Sequence, residues 1–521
     1  MQQVLIGGVF GLLHAVNTQY SLISGGIAWT TTKDVRAQTI STSGKLKNLR
    51  VKLNDTPGGG TKTYTFTLHR AVGTGAWANT ALTCTVASGA TQASDTVNEV
   101  SVAAGDVVTL ECDPTDTPTA RYATWTMVFQ GDTANESLLL LTLPLSTADT
   151  RYANLQGYGY DVVENDMRCV CPTSGTIKNL YVQLQVDPGT APDAHKFTLR
   201  IGGVSQALIV TITADNRTGN DTGNDIAVSA GDILTLITEP LNTPSSSGTA
   251  AVGMTFVADT DGESLILSGS QDDLDNTATE YSYLISNHTT TWTTTEAERY
   301  QLGQACTLKK LYVLLSGTPG AGNKYTLTVR IAGASSNVVA EVADTATTGN
   351  SGALEDTVAN DNYVGLQVVP TSTPTVRDAY WGLVSYIVPP VAQAVGSGAV
   401  AIAGTLSSVF RFVQSVGGGS IAIAGLLGRF IKISVGAGSI AIAGALGRVL
   451  KIAVGDGSIA IAGSLGRKIK IAVGGGAVAM AGTLIAISEW IALTLRGLRG
   501  GRGLGLTLHK RILSMTLPRR K

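Results

Sequence analysis

The chain has 521 residues, of which 61 are glycine, 14% are charged and 6% are aromatic. That composition speaks against a helical enzyme and for short strands joined by tight turns, in three or four domains. The net charge of −1 conceals an asymmetry: residues 1–390 carry 36 acidic and 21 basic side chains, and residues 391–521 carry 16 basic ones against Asp456 and Glu489. The two halves therefore face different partners, or each other.

Residues 1–16 contain an apolar run without a basic leader or a cleavage site, and read as an N-terminal strand or docking arm. The first module is expected over residues 17–145. Its organising block, GKLKNLRVKLNDTPGGGTKTYTFTLHR at 44–70, returns at 175–200 and 306–330. Leu46, Ile177 and Leu308 are 131 residues apart, as are Pro57, Pro188 and Pro319. A block at constant spacing marks a duplicated domain. Within it, period-two alternation on both sides of a Pro/Gly connector predicts two half-buried strands.

Each block is followed by a turn motif, VAAGD at 102–106 and VSAGD at 228–232, which has drifted to VAND at 358–361. Glycine there allows a positive φ, and aspartate bonds nearby backbone N–H groups. Next come PTDTP at 114–118, PLNTP at 240–244 and PTSTP at 370–374, each ending one strand and setting up the next. Seven or eight strands in about 120 residues is sandwich or jelly-roll spacing. The second and third modules are expected over 146–275 and 276–390, with short polar linkers at about 143–150 and 268–279.

These motifs resemble the tandem β-sandwich modules of tailed-bacteriophage virion proteins of the decoration, fibre or tail-associated type. The resemblance covers residues 17–390 and rests on structural rather than catalytic motifs. It implies a virion location, with other virion proteins or copies of the chain itself as partners. Jelly rolls of the tumour-necrosis-factor and complement type assemble as trimers. Three modules on one chain are therefore expected to imitate such a trimer, unless they lie in an extended row.

At 391–488 a 19-residue repeat takes over, G-x-G-S-I-A-I-A-G-x-L-G-R-x-x-K-I-x-V, after a first unit of 21 residues. Each unit contains two alternating stretches, such as 420–424 and 429–435, and cannot bury its apolar face alone. The units stack as an intrachain solenoid or hairpin stack, or three chains intertwine as a β-prism fibre. A membrane span is disfavoured, because Arg or Lys punctuates every later unit. The tail at 489–521 carries Arg496, Arg499, Arg502, Lys510, Arg511, Arg519, Arg520 and Lys521. These are the candidate contact to an acidic partner, set against a solvated tail.

The expected architecture is thus all-β: three antiparallel sandwich or jelly-roll modules followed by Gly-rich β-repeats. No catalytic constellation stands out. The five histidines are scattered, no Walker loop or G-x-S-x-G elbow occurs, and no cofactor is expected. The acidic loop at 215–225 has oxygen ligands suited to calcium without EF-hand spacing, and reads as a polar loop. The cysteines (Cys84, Cys112, Cys169, Cys171, Cys306) are too few and odd in number for a disulfide framework. Cys169 and Cys171 read as strand residues, and a Cys84–Cys112 pair stays open. The leading reading is a non-enzymatic structural protein of a virus particle. The alternative is an adhesin whose loops bind host-surface glycan, with Tyr158, Tyr160 and Trp292 either stacking on sugar or serving as core and edge aromatics.

Overall fold

The alternation around residue 46 becomes the strand Gly44–Leu53, which buries Leu46, Leu49, Val51 and Leu53 on one face. The computed structural model describes residues 2–388 and, beyond them, the backbone of strands between 392 and 495. The chain divides into two units, Met1–Ile387 and Val388–Lys521.

The first module has nine strands: β1 (Gln2–Leu12), β2 (Gln19–Ser21), β3 (Gln38–Thr39), β4 (Gly44–Leu53), β5 (Thr63–Ala71), β6 (Trp77–Val86), β7 (Gln92–Val102), β8 (Val107–Thr115) and β9 (Tyr122–Gly131). One sheet runs β1-β9-β4-β7 and the other β2-β8-β5-β6, with β3 added against β8. Two four-stranded antiparallel sheets in this order, the first strand lying beside the last, form a jelly roll. The second module repeats it with Glu136–Pro144, Thr249–Ala258 and Gly175–Leu184 in the places of β1, β9 and β4. The third does so with Glu263–Ser270, Ala379–Tyr386 and Cys306–Leu315.

This pairing moves the expected boundaries. Of the two readings of residues 1–16 the structure has the strand and not a separate arm: Gln2–Leu12 is the edge strand of the first jelly roll, paired from Gln2–Gln130 to Leu12–Tyr122. Glu136–Pro144 opens the second module rather than closing the first, and Glu263–Ser270 opens the third.

The reason lies in their burial. Leu139, Leu141 and Leu143 enter the core of the second module, while Leu138 and Leu140, between them, enter that of the first. Ile266 serves its own module, whereas Leu265 and Leu267 join the core of the second. Leu5 packs in the first module, and Val4 and Ile6 pack in the third. Each opening strand therefore has two apolar faces, and a strand buried on both faces reads as a continuous apolar run. The first module meets the second, the second the third, and the third returns to the first. The modules close into a ring, not a row.

Local choices repeat around the ring. The strand bearing the organising block carries a bulge whose residue is left-handed in all three copies: Asn48 (φ 55°), Asn179 (φ 54°) and Lys310 (φ 54°). The proline-flanked turns place two consecutive left-handed residues between strands, Asp116 and Thr117, Asn242 and Thr243, and Ser372 and Thr373. Cys84 and Cys112 both sit beside Phe66, on strands flanking β5 on opposite sides. Two strand spacings, about 9.6 Å, are too far for a disulfide, and both thiols are free and buried.

In the second unit the strands pair in parallel within one chain, residue i with i+19, as in Phe430–Val449 and Val449–Lys468. The first unit pairs at an offset of 21, as in Ala399–Ser420. Parallel pairing is that of a solenoid rather than of stacked hairpins. Ala492–Leu495 still pairs, with residues 470–473, so the stack runs past residue 488.

Candidate functional site

The three seams between modules, and the loops at their ends, are where the ring acquires features that its copies do not share. The turns that follow β2 and its counterparts converge near the middle of the ring. A Cβ on Gly25 would stand 2.5 Å from the Cα of Gly157, and one on Gly157 would stand 3.0 Å from the carbonyl oxygen of Ser286. Only residues without bulk permit that approach.

At the first seam Thr39 donates to the carbonyl of Ala251 (3.0 Å), and the hydroxyls of Thr255 and Ser41 bond at 2.9 Å. The buried Glu136 carboxylate accepts from Thr42 and pairs with Lys178 at 2.9 Å. The second seam repeats this chemistry. Thr173 donates to Glu263 at 2.6 Å, and Lys309 and Lys310 reach the same carboxylate at 2.9 and 2.8 Å. Burial alone would raise the Glu263 carboxyl; the bonds from Lys310, Thr173 and Lys309 outweigh it and hold it below the usual carboxylate range. Also at this seam, the His288 ring bonds the Arg168 carbonyl at 3.2 Å and stacks on Tyr380. Burial pushes its pKa down to about 4, against the opposing effect of that bond.

The third seam differs. Gln2 stands where Glu136 and Glu263 stand, and it bonds Gln130 within its own module. The drifted turn at 358–361 explains itself here. Asn362 has taken over the role of Asp106 and Asp232, accepting from the N–H of Ala359 at 2.9 Å. Asp361 occupies the left-handed glycine position (φ 68°), and Arg50 of the first module bonds both its carboxylate oxygens at 2.9 Å. At the first seam the residue matching Arg50 is Tyr181, which lies over Gly105. Lys52 adds a cation over the Tyr363 ring at 4.0 Å.

Beside the third seam lies a cavity of about 260 Å³. It is lined by residues 26–28 of the first module and by Tyr283, Asn287, Thr289, Thr290, Thr291 and Arg299 of the third. None of the aromatic residues singled out from the sequence lines it. Trp292 is buried against Trp381. Tyr158 stacks under Arg36 across the first seam, and Tyr160 lies 3.8 Å from the Arg151 guanidinium.

In the acidic loop at 215–225 the central carboxylate, Asp221, is taken up by the protein. Asp221 accepts from the N–H groups of Ile209, Gly223 and Asn224 and from the Asn224 side chain. Among the described residues, no three His, Cys, Asp or Glu side chains gather as metal ligands would, and no helix is long and apolar enough to cross a membrane. Arg496, Arg499, Arg502, Lys510, Arg511, Arg519, Arg520 and Lys521 lie outside the described residues.

No family model matches the chain, and no curated protein matches it.

Proposed function

We propose that this chain is a non-enzymatic structural component of a virus particle, of the phage decoration, fibre or tail-associated kind. The observation that carries the reading is the ring. Three jelly rolls are joined around one centre by strands that each serve two cores, so a single chain supplies what jelly rolls of the tumour-necrosis-factor and complement type obtain by trimerisation. A ring of this kind is a rigid mount with loops at its ends, and a parallel repeat stack follows it in the same chain. In this reading the basic residues of 496–521 contact an acidic partner in the particle. The test is to purify particles and locate the chain by mass spectrometry and by electron microscopy with a label on the first module. A chain found only in the soluble fraction, never in purified particles, overturns the proposal.

A further inference from the structure

We infer that the cavity beside the third seam is a binding site for a single neutral sugar ring, the terminal or branching unit of a glycan. Its volume, about 260 Å³, lies just under the ~300 Å³ at which sites for drug-sized ligands begin. One ring fits; an extended oligosaccharide does not.

The lining sets the chemistry. The third module supplies the hydroxyls of Thr289, Thr290 and Thr291 and the amide of Asn287, the Thr290 hydroxyl donating to the Asn287 amide oxygen and leaving its own lone pairs and the amide N–H groups for a ligand, and the first module supplies the apolar surface of Ile27 and Ala28 beside Gly26. A pyranose has the same division, a hydroxyl edge and a C–H face. A site built from polar groups favours a ligand whose hydroxyls answer them.

The one charge in the lining does not ask for an anion. The Arg299 guanidinium donates to the Thr291 carbonyl at 2.7 Å and the Glu298 carbonyl at 3.2 Å, and lies 5.3 Å from the Tyr283 ring. Its Nε, Nη1 and Nη2 all donate to backbone carbonyls, so a uronate would not meet the bidentate donor pair that makes carboxylate recognition by arginine strong.

The polar wall is also held in place before any ligand arrives. Ser270 bonds the Thr290 carbonyl, the Thr290 N–H bonds the Asn287 carbonyl, and the intervening His288 is tied to the Arg168 carbonyl of the second module. Fixing a wall in advance removes an ordering cost from binding. The loop that forms it is peculiar to the third module: Tyr281 and Trp292 are eleven residues apart, whereas Tyr20 and Trp29 are nine apart.

The experiment titrates the full chain with glucose, galactose, mannose, N-acetylglucosamine and glucuronate, followed by ligand-observed NMR. At least one neutral sugar should bind with a Kd of roughly 1–10 mM, the scale for a ligand of about a dozen heavy atoms, and glucuronate no more tightly than glucose. Ala28→Trp fills the cavity from an exposed position and should weaken binding at least about tenfold without lowering the melting temperature. Thr289→Trp does the same from the opposite wall, should the first variant fold poorly. No binding of any neutral sugar at about 50 mM, a preference for glucuronate, or full binding by both filled variants overturns the inference. The outcome is separate from particle membership: a chain present in particles that binds no sugar defeats this site and leaves the structural role standing.

Discussion

The seams make an unequal demand on three equivalent positions. Gly253 and Gly382 lie on the closing strands of the second and third modules, and a Cβ at either would be driven into a backbone carbonyl of the preceding module, that of Thr39 or Val170. The matching residue on β9 is Thr126, which is fully buried and donates to the Leu5 carbonyl at 2.9 Å. Alanine at the two glycines cannot be absorbed by a side-chain movement, because both partners are strand backbone, so the seam itself must shift. Overpacking of that kind costs about 3 kcal/mol. Thr126→Ala loses one buried hydrogen bond, about 1 kcal/mol. With a ring that melts as one unit, these translate into falls of about 4 °C and about 1 °C in Tm, readable by differential scanning calorimetry on residues 1–390. The reasoning fails if Gly253→Ala and Gly382→Ala are no more destabilising than Thr126→Ala.

The remaining tests address charge, strain, acidity and repeat length. Exchanging the third seam's pair for that of the first, Arg50→Tyr with Asp361→Gly, should leave the double variant more stable than the two single losses sum to, by about 1 kcal/mol of coupling in chemical denaturation; strict additivity would refute the pairing. Lys310→Asn and Lys310→Leu remove the same partner of Glu263, which keeps Lys309 and Thr173, but only asparagine tolerates the left-handed position, so the leucine variant should be less stable by about 1 kcal/mol; equal stability of the two would refute the strain. His288 is neutral when folded down to about pH 4, whereas the unfolded side chain takes up a proton near pH 6.5. Its contribution to stability is therefore intact above 6.5, declines as pH falls through that window, and levels off below 4 after a loss of about 3 kcal/mol; His288→Gln should flatten the profile of Tm against pH between those limits. Finally, deleting residues 436–454 removes one whole 19-residue period and should preserve the strand content seen by circular dichroism, while deleting ten residues of the same unit should reduce it.

The elements that alternate are legible in the sequence. Leu46, Leu49, Val51 and Leu53 face one core, so their pattern has a single period and announces a strand. The turns were legible as turns because glycine, asparagine and proline carry their backbone preferences with them. The cavity was not, because it joins residues 26–28 to a loop more than 250 positions later, and no local pattern records that meeting. Arg50 and Asp361 lie 311 residues apart and are hidden in the same way, although the drift of the third turn from glycine to aspartate was a signal that its neighbour had changed.

The opening strands show most clearly what the sequence conceals. The run ESLLLLTLP at 136–144 has no period because its odd and even residues serve different modules, and a run without a period looks like the end of one domain rather than the start of the next. The repeat unit of the sequence and the packing unit of the fold are therefore different objects. A fragment cut at 146–275 would lack the strand that closes its own sheet and would carry away the one, Glu263–Ser270, that belongs to the next. No module holds a complete core, since Val4 and Ile6 from the first strand of the chain finish the third. The ring closes through its own beginning, and that makes three copies of one sequence block into a single compact unit.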